Sequence, residues 1–190
     1  MSTRTDEISI AVKTTAAQAG EATADAERAL ESCRSKTEIA YQHGWDGVGA
    51  NMEQAAEQIE AVVEQLTNAE QACQSAGEVL DQITAQLSSP EVAEHLAIAL
   101  EHLDTVTNTA EAAIGLIDEA IGACEAAGQQ SLPASLQTLR EAADEIHERA
   151  QQISTDAQTE HEATGAWSQD TDADDGSSET ERSRRPPAGP

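Results

Sequence analysis

The feature that most constrains this chain is a run of apolar residues spaced alternately four and three apart. In a helix this spacing places the side chains on one face, where they form a seam against a neighbouring helix. The clearest seam has twelve members: Val48, Met52, Ala55, Ile59, Val62, Leu66, Ala69, Cys73, Ala76, Leu80, Ile83 and Leu87. A seam of this length predicts an all-α protein.

Three other segments repeat the spacing. One runs from Val92 to Cys124 and another from Leu132 to Ile153. The first segment of the chain follows the same rule through Val12, Ala16, Ala19, Ala26, Leu30, Cys33 and Ala40, with Thr23 and Thr37 as its polar members. Since its apolar members are mostly alanine, we expect this first helix to have the weakest seam. The second and third segments also align with each other at an offset of 44 residues. This match indicates either a duplicated unit or a chance agreement between two heptad patterns.

The segments are separated by residues that end and begin helices. Glycines surround Trp45, Ser89 precedes Pro90 as a candidate N-cap, and Gly128 is followed by Pro133. We therefore predict an up-down antiparallel bundle of three to four long helices in residues 1–157, near 6–43, 48–87, 90–127 and 132–157. Residues 158–190 are polar and rich in Gly, Ser and Asp, which predicts a disordered acidic tail.

Charge limits the class of partner. The formal net charge is −26, and the stretch from Thr37 to Leu139 has 17 Asp and Glu but no Lys or Arg. We therefore expect no direct binding to nucleic acid or to an anionic membrane. Four acids lie three and four apart on the outward face of the second helix, without local compensation: Glu53, Glu57, Glu60 and Glu64. This acidic face is interpreted as a solvated surface, as a docking surface for a cationic protein, or as an acidic rod that mimics nucleic acid.

Residues with catalytic or metal-binding potential are widely scattered. Cys33, Cys73 and Cys124 form no CxxC pair and fall on seams, where burial should keep the thiols inert. No histidine belongs to a Glu-x-x-His pair, so we expect no metal, no cofactor and no enzymatic activity. No segment approaches the roughly 18 apolar residues of a membrane span, and the N-terminus does not resemble a signal peptide. A soluble cytoplasmic protein is expected.

The turn after the first helix contains Trp45-Asp46-Gly47. Over residues 5–87 the chain resembles the WXG family of type VII secretion substrates, which are helical hairpins with Trp-x-Gly in the turn. The segment GWDGVGANM also resembles uncharacterised actinobacterial helical proteins. The family resemblance implies export without a cleavable signal peptide and pairing with a partner hairpin. The family's export signal, Tyr followed four residues later by an acid, is absent because Trp45 follows Tyr41 at that spacing. A local interpretation is that Trp45 pins the loop onto the end of the bundle.

The expected function is non-enzymatic binding of another protein. One candidate surface is the alanine-rich seam of the first helix, which would pair with a helical hairpin or with a second copy of the chain: Ala16, Ala19, Thr23, Ala26 and Leu30. The other is the acidic face, which would bind a cationic surface. Alanine-rich seams permit both intramolecular bundles and intermolecular coiled coils, so the oligomeric state stays open. The alternative function is that of an exported WXG-like hairpin.

Overall fold

The structure, a computed structural model, describes the backbone of residues 3–174 and the side chains of residues 4–164. Four helices occupy this part of the chain: α1 (Thr3–Gln42), α2 (Asp46–Asp81), α3 (Ser89–Ala126) and α4 (Ser131–Asp174). No strand occurs between residues 3 and 174. The predicted all-α bundle is confirmed, with four helices.

The helices form a ring of four in which each one packs against two neighbours. α2 lies between α1 and α3, α3 lies between α2 and α4, and α4 returns to contact α1. The contact between α1 and α4 is the least extensive of the four. A groove of about 360 Å³ opens there, lined by Arg28 and Ser32 of α1 and by Ser135 and Thr138 of α4. The ring is therefore closed more loosely on this side than on the other three.

The core consists of the predicted seams facing one another. The largest side chains that are fully buried are aliphatic: Met52, Ile59, Leu66, Leu80, Leu96, Leu103, Ile117, Leu136, Ile146, Val12, Val62 and Val106. Alanines fill the positions between them, and the buried set of the described residues contains no Phe, Tyr or Trp. The seam threonines are half-buried, and the hydroxyls of Thr23 and Thr37 donate to the carbonyls of Ala19 and Cys33 in the preceding turn. This bond satisfies the hydroxyl, so a polar residue fits an apolar seam.

The connection between α2 and α3 differs from the prediction. α2 ends at Asp81 instead of residue 87, although Ile83 is buried from within the turn. The chain therefore uses residues 82–88 to reverse direction. The N-cap of α3 is Ser88, one residue before the predicted Ser89. Both the backbone N–H and the hydroxyl of Ser88 donate to the Glu91 carboxylate, which holds the pKa of Glu91 below its usual range.

The end of α4 also differs from the prediction. The apolar seam ends at Ala157, but the helix continues to Asp174. Residues 158–164 are good helix formers or threonines, and the hydroxyls of Thr159 and Thr164 donate to carbonyls one turn earlier. No Pro or Gly occurs in residues 158–164, so local propensity accounts for the first two turns beyond the seam, whereas the helix then continues through Gly165. Residues 175–190 of the predicted tail lie outside the described residues.

Candidate functional site

The α1–α2 connection is a tight turn whose geometry depends on one glycine. Gly44 adopts φ = +72°, and its N–H donates to the carbonyl of Tyr41 at 3.0 Å. The N–H of Trp45 donates to the carbonyl of Ala40 at 2.9 Å. These two bonds form a Schellman motif, which satisfies the last carbonyls of α1 and needs the left-handed conformation that glycine adopts without strain. The turn therefore fixes the position of Trp45 relative to the end of α1.

The Trp45 side chain points away from the core. It is 57% exposed, and its ring stacks on His43 with the centroids 5.0 Å apart. The interpretation that Trp45 pins the loop onto the bundle is therefore wrong, because the turn is closed by backbone hydrogen bonds and not by burial of the indole. Asp46 begins α2, where a carboxylate is favoured by the helix dipole. Gly47 has open space around the position of a Cβ, so packing does not require glycine there.

A second contact joins the two helices just below the turn. The ring of Tyr41 lies against Gly49, so closely that a Cβ on Gly49 would be 2.6 Å from Tyr41 Cε1. The Tyr41 hydroxyl donates to Glu53 at 2.9 Å. This bond to an anionic acceptor raises the pKa of Tyr41 above its ordinary value. Glycine at position 49 thus provides the space for an aromatic ring between the two helices.

The α1–α2 turn extends beyond the neighbouring α3–α4 turn. Lys36 of α1 donates hydrogen bonds to Gln129 and Ser131, at the start of α4. α1 continues for six residues after Lys36 and ends at Gln42, which projects the turn by about 9 Å at 1.5 Å per residue. Residues 37–51, named the hairpin tip here, therefore lie beyond the level at which Lys36 meets the α3–α4 turn.

Apolar side chains on the hairpin tip are unusually exposed. Ile39 is 48% exposed and Tyr41 is 43% exposed, in addition to Trp45. Across the described side chains, only Ile10 and Ile98 are other large hydrophobic residues with comparable exposure, and each lies apart from the tip. Ile39, Tyr41 and Trp45 are thus three of the five exposed large hydrophobic residues in the described part of the chain, and all three lie within seven consecutive positions of the hairpin tip.

The seam predicted as an interaction surface lies inside the bundle. Ala19 and Ala26 are fully covered, Ala16 and Leu30 are each 9% exposed, and Thr23 is half-buried. The prediction that these residues face another protein is therefore wrong for the folded chain, because α1 packs them against its own neighbouring helices. The weakest seam of the sequence is an ordinary part of the core.

The acidic face lies where it was predicted, but it is partly compensated. Glu53, Glu57, Glu60 and Glu64 are all exposed. Arg34 of α1 forms an ion pair with Glu60 at 2.7 Å, and Glu53 accepts the bond from Tyr41. The expectation that these charges lack local compensation is wrong for Glu60, because Arg34 reaches it from α1; Glu53 accepts a hydrogen bond from a neutral hydroxyl.

Positive charge is confined to two of the four helices. All Lys and Arg of the described side chains belong to α1 or α4, and several reach acids on the other two helices, as in Lys13–Asp81 and Arg140–Asp118. Lys13 and Ser9 hold the pKa of the Asp81 carboxyl below its usual range. α2 and α3 have eight acids each and no Lys or Arg. The outer side of α2 and α3 is consequently the most negative surface of the described bundle.

The described residues show neither a cluster of metal-binding side chains nor a membrane-spanning helix. No group of three or more His, Cys, Asp and Glu side chains in residues 4–164 is placed to hold a metal ion. His95 is bonded to the carbonyl of Glu91 in its own helix, and His147 to the carbonyl of Thr107. None of the described helices has an apolar stretch that could cross a bilayer.

The three cysteines do not share one environment. Burial raises the pKa of Cys73 to about 12, as expected for an inert core thiol. The pKa of Cys124 is instead lowered, because the thiol of Cys33 bonds to it. All three cysteines are fully buried, and the expectation that their thiols are unreactive stays a prediction. The exposure of Ile39 was not predicted, since it depends on how the helices align along their axes.

Comparison of the chain with protein-family models, with curated proteins and with solved structures returned no match.

Proposed function

We propose that this chain is a non-enzymatic helical-bundle protein that binds another protein through its hairpin tip. The observation that supports this function is that three of the five exposed large hydrophobic residues, Ile39, Tyr41 and Trp45, lie at a projecting turn, whereas the described core contains no aromatic side chain. Tryptophan and tyrosine are enriched among the residues that dominate binding energy at protein interfaces. Tyr41 also packs against Gly49, but the structure gives Trp45 no place in the core, so the exposure of Trp45 is better explained by binding than by folding.

Charge indicates what kind of surface the tip would bind. Glu38 and Asp46 lie on the tip, Glu53 and Glu57 lie just beyond it, and no Lys or Arg occurs from Thr37 to Leu139. A second copy of the tip would bring like charges together, which costs energy in a partly desolvated interface. A partner with an apolar pocket bordered by Lys or Arg fits better. The acidic sides of α2 and α3 would speed its approach by electrostatic steering.

The proposal is tested by comparing exposed apolar residues on and off the tip. The Trp45→Ala variant should lose capture of a partner from native extract, while Ile98→Ala, which removes an exposed side chain from α3, should not. Once the partner is isolated, its Kd for Trp45→Ala should increase by at least about 30-fold, as for a residue that dominates an interface. Equal binding by both variants would contradict the proposal that the hairpin tip is the binding surface.

The effect of salt distinguishes the charged part of the proposed interface from its apolar part. Raising the salt concentration should slow association, since charges are screened beyond about 10 Å at 0.1 M. Dissociation should change little, because apolar contacts of the tip hold the complex. A complex that dissociates completely at high salt, with no effect of Trp45→Ala, would instead indicate binding through the acidic face alone.

An exported WXG-like hairpin is the second candidate function. It is favoured by the position of Trp45-Asp46-Gly47, which runs from the last residue of the turn into α2, where two antiparallel helices that pack together are joined. The test is detection of the chain in culture medium while a cytosolic marker stays inside intact cells. Strict retention in the cytosol would exclude this candidate and leave the first one untouched.

A further inference from the structure

The rings of His43 and Trp45 are stacked in the hairpin tip. Their centroids lie 5.0 Å apart, and their planes make an angle of 26°. The chain reverses between the two residues at Gly44, whose φ of +72° brings the side chains on either side of it together. Among the described residues, the imidazole forms no hydrogen bond and no ion pair. The indole of Trp45 is therefore the group that orients it.

His43 is the only residue of the hairpin tip that can become a cation between pH 5 and 8. Residues 37–51 contain two acids, Glu38 of α1 and Asp46 of α2, and no Lys or Arg. The ammonium group of Lys36, one residue before the tip, donates its hydrogen bonds towards the start of α4. Histidine is the side chain whose charge ordinarily changes in this pH range. Uptake of a proton by His43 would therefore give the tip its one positive charge.

The other titratable groups around the turn keep their charge over most of this range. Tyr41 donates to Glu53 of α2, and this bond raises the pKa of Tyr41 above its ordinary value, so the phenol stays neutral. At the same end of the bundle, the α3–α4 turn has no acid or base in residues 127–130, and the acid of α3 that precedes it is Glu125. A change from pH 8 to pH 5 therefore acts on the tip mainly through His43.

We propose that uptake of a proton by His43 weakens the binding of a partner at the hairpin tip. This inference rests on the proposed function, since it concerns the same residues and the same partner, whose apolar pocket is bordered by Lys or Arg. An imidazolium ion is attracted to the face of an indole, so it stays on a face of Trp45 that the partner would contact. Its charge also repels the cations of the partner. The tip binds best near pH 8 and releases its partner as the pH falls towards 5.

The free, full-length chain tests this change of charge without a partner. Trp167→Phe leaves Trp45 as the only indole, and its fluorescence is quenched by caesium, which is a cation, or by acrylamide, which is neutral. From pH 8 to pH 5, the caesium quenching constant should fall by about two- to fourfold relative to the acrylamide constant, because a unit charge at roughly 5 Å repels a cation even in water. His43→Gln should abolish this change. His95→Gln, which removes a histidine near the start of α3, should leave it intact.

Binding is measured separately, with the protein that the wild type captures and Trp45→Ala does not. Its Kd should increase by about 2–5-fold from pH 7.5 to pH 5.5, the size expected for one exposed cation–π contact. The increase should be absent in His43→Gln, which also removes any contribution from titration of the partner itself.

Three results would overturn the proposal. They are a quenching ratio that is the same at pH 8 and pH 5, a ratio that changes equally in His43→Gln, and a Kd that rises equally in the wild type and His43→Gln. Each of them leaves the proposed function in place, because Trp45→Ala tests the tip as a binding surface at pH 7.5 alone. Normal binding by Trp45→Ala at that pH would overturn both, since the charge of His43 would then act on no interface.

Discussion

The hairpin tip and the body of the bundle are made from the same two helices, α1 and α2, but they use their side chains in opposite ways. In the body, Ile59 and Leu66 are fully buried and every large core side chain is aliphatic. In the tip, Ile39, Tyr41 and Trp45 are close to half-exposed. The body is covered by α3 and α4, whereas the tip projects beyond them. The same amphipathic pattern therefore stabilises the fold in one place and leaves an apolar surface in the other.

The largest difference should appear when one apolar residue is removed from each region. Leu66→Ala should lower the free energy of unfolding by about 2–5 kcal/mol, because a fully buried side chain is replaced by a cavity. Trp45→Ala should change it by less than about 0.5 kcal/mol, because the indole is mostly solvated. Urea unfolding followed by circular dichroism measures both. Equal destabilisation by the two variants would show that the tip belongs to the folding core.

Two glycines at the start of α2 allow a sharper comparison. Gly49→Ala should destabilise the protein by about 1–3 kcal/mol, because the new Cβ would lie 2.6 Å from the ring of Tyr41 and would displace it. Gly47→Ala meets no neighbouring atom and should stabilise α2 by about 0.4–1 kcal/mol. The difference in urea midpoints between these two variants is the measurement. A neutral Gly49→Ala would mean that the Tyr41 ring moves aside without loss of packing.

The seams could be predicted from the sequence because a period of 3.5 residues determines which side chains share a face. Met52, Ile59 and Leu66 were placed in the core on that basis, and all are buried. The sequence could not show whether the α1 stripe around Ala19 is covered by this chain or by another, because apolar burial is the same in either case. The contacts of α1 with α2 and α4 show that this chain itself covers the stripe.

The projecting tip could not be predicted for a related reason. A heptad seam still matches when one helix slides by seven residues, so the spacing does not determine how far α1 extends beyond α3. The bonds from Lys36 to Gln129 and Ser131 reveal the alignment. The exposure of Ile39 depends on this alignment. Predictions that needed only one helix succeeded more often than those that needed two.

A smaller effect concerns the one tyrosine of the chain. The folded-state pKa of Tyr41 is raised by its bond to Glu53, so this bond stabilises the fold fully below the unfolded pKa of about 10. Its contribution is lost as the pH rises through the higher folded pKa. Tyrosinate absorbance reports Tyr41 alone, because the chain has no other tyrosine. The midpoint should lie above about 10 and return towards it in Glu53→Gln. Identical midpoints would show that the bond does not persist in solution.

The smallest effect is expected from the ion pair between Arg34 and Glu60, where the body meets the tip. Both side chains are more than half-exposed, so a double-mutant cycle should give a coupling energy of about 0.2–1 kcal/mol that falls with added salt. The changes in the free energy of unfolding caused by the two single substitutions should differ in sign or size. Arg34→Ala leaves Glu57, Glu60 and Glu64 without their nearby cation, whereas Glu60→Ala also relieves repulsion within the acidic face. The free energy of unfolding in urea is measured at low and high salt for the wild type, the two single variants and the double variant. If Glu60→Ala proved the more destabilising variant, repulsion among the glutamates of the acidic face would be negligible. These glutamates would then be available to a partner without weakening α2.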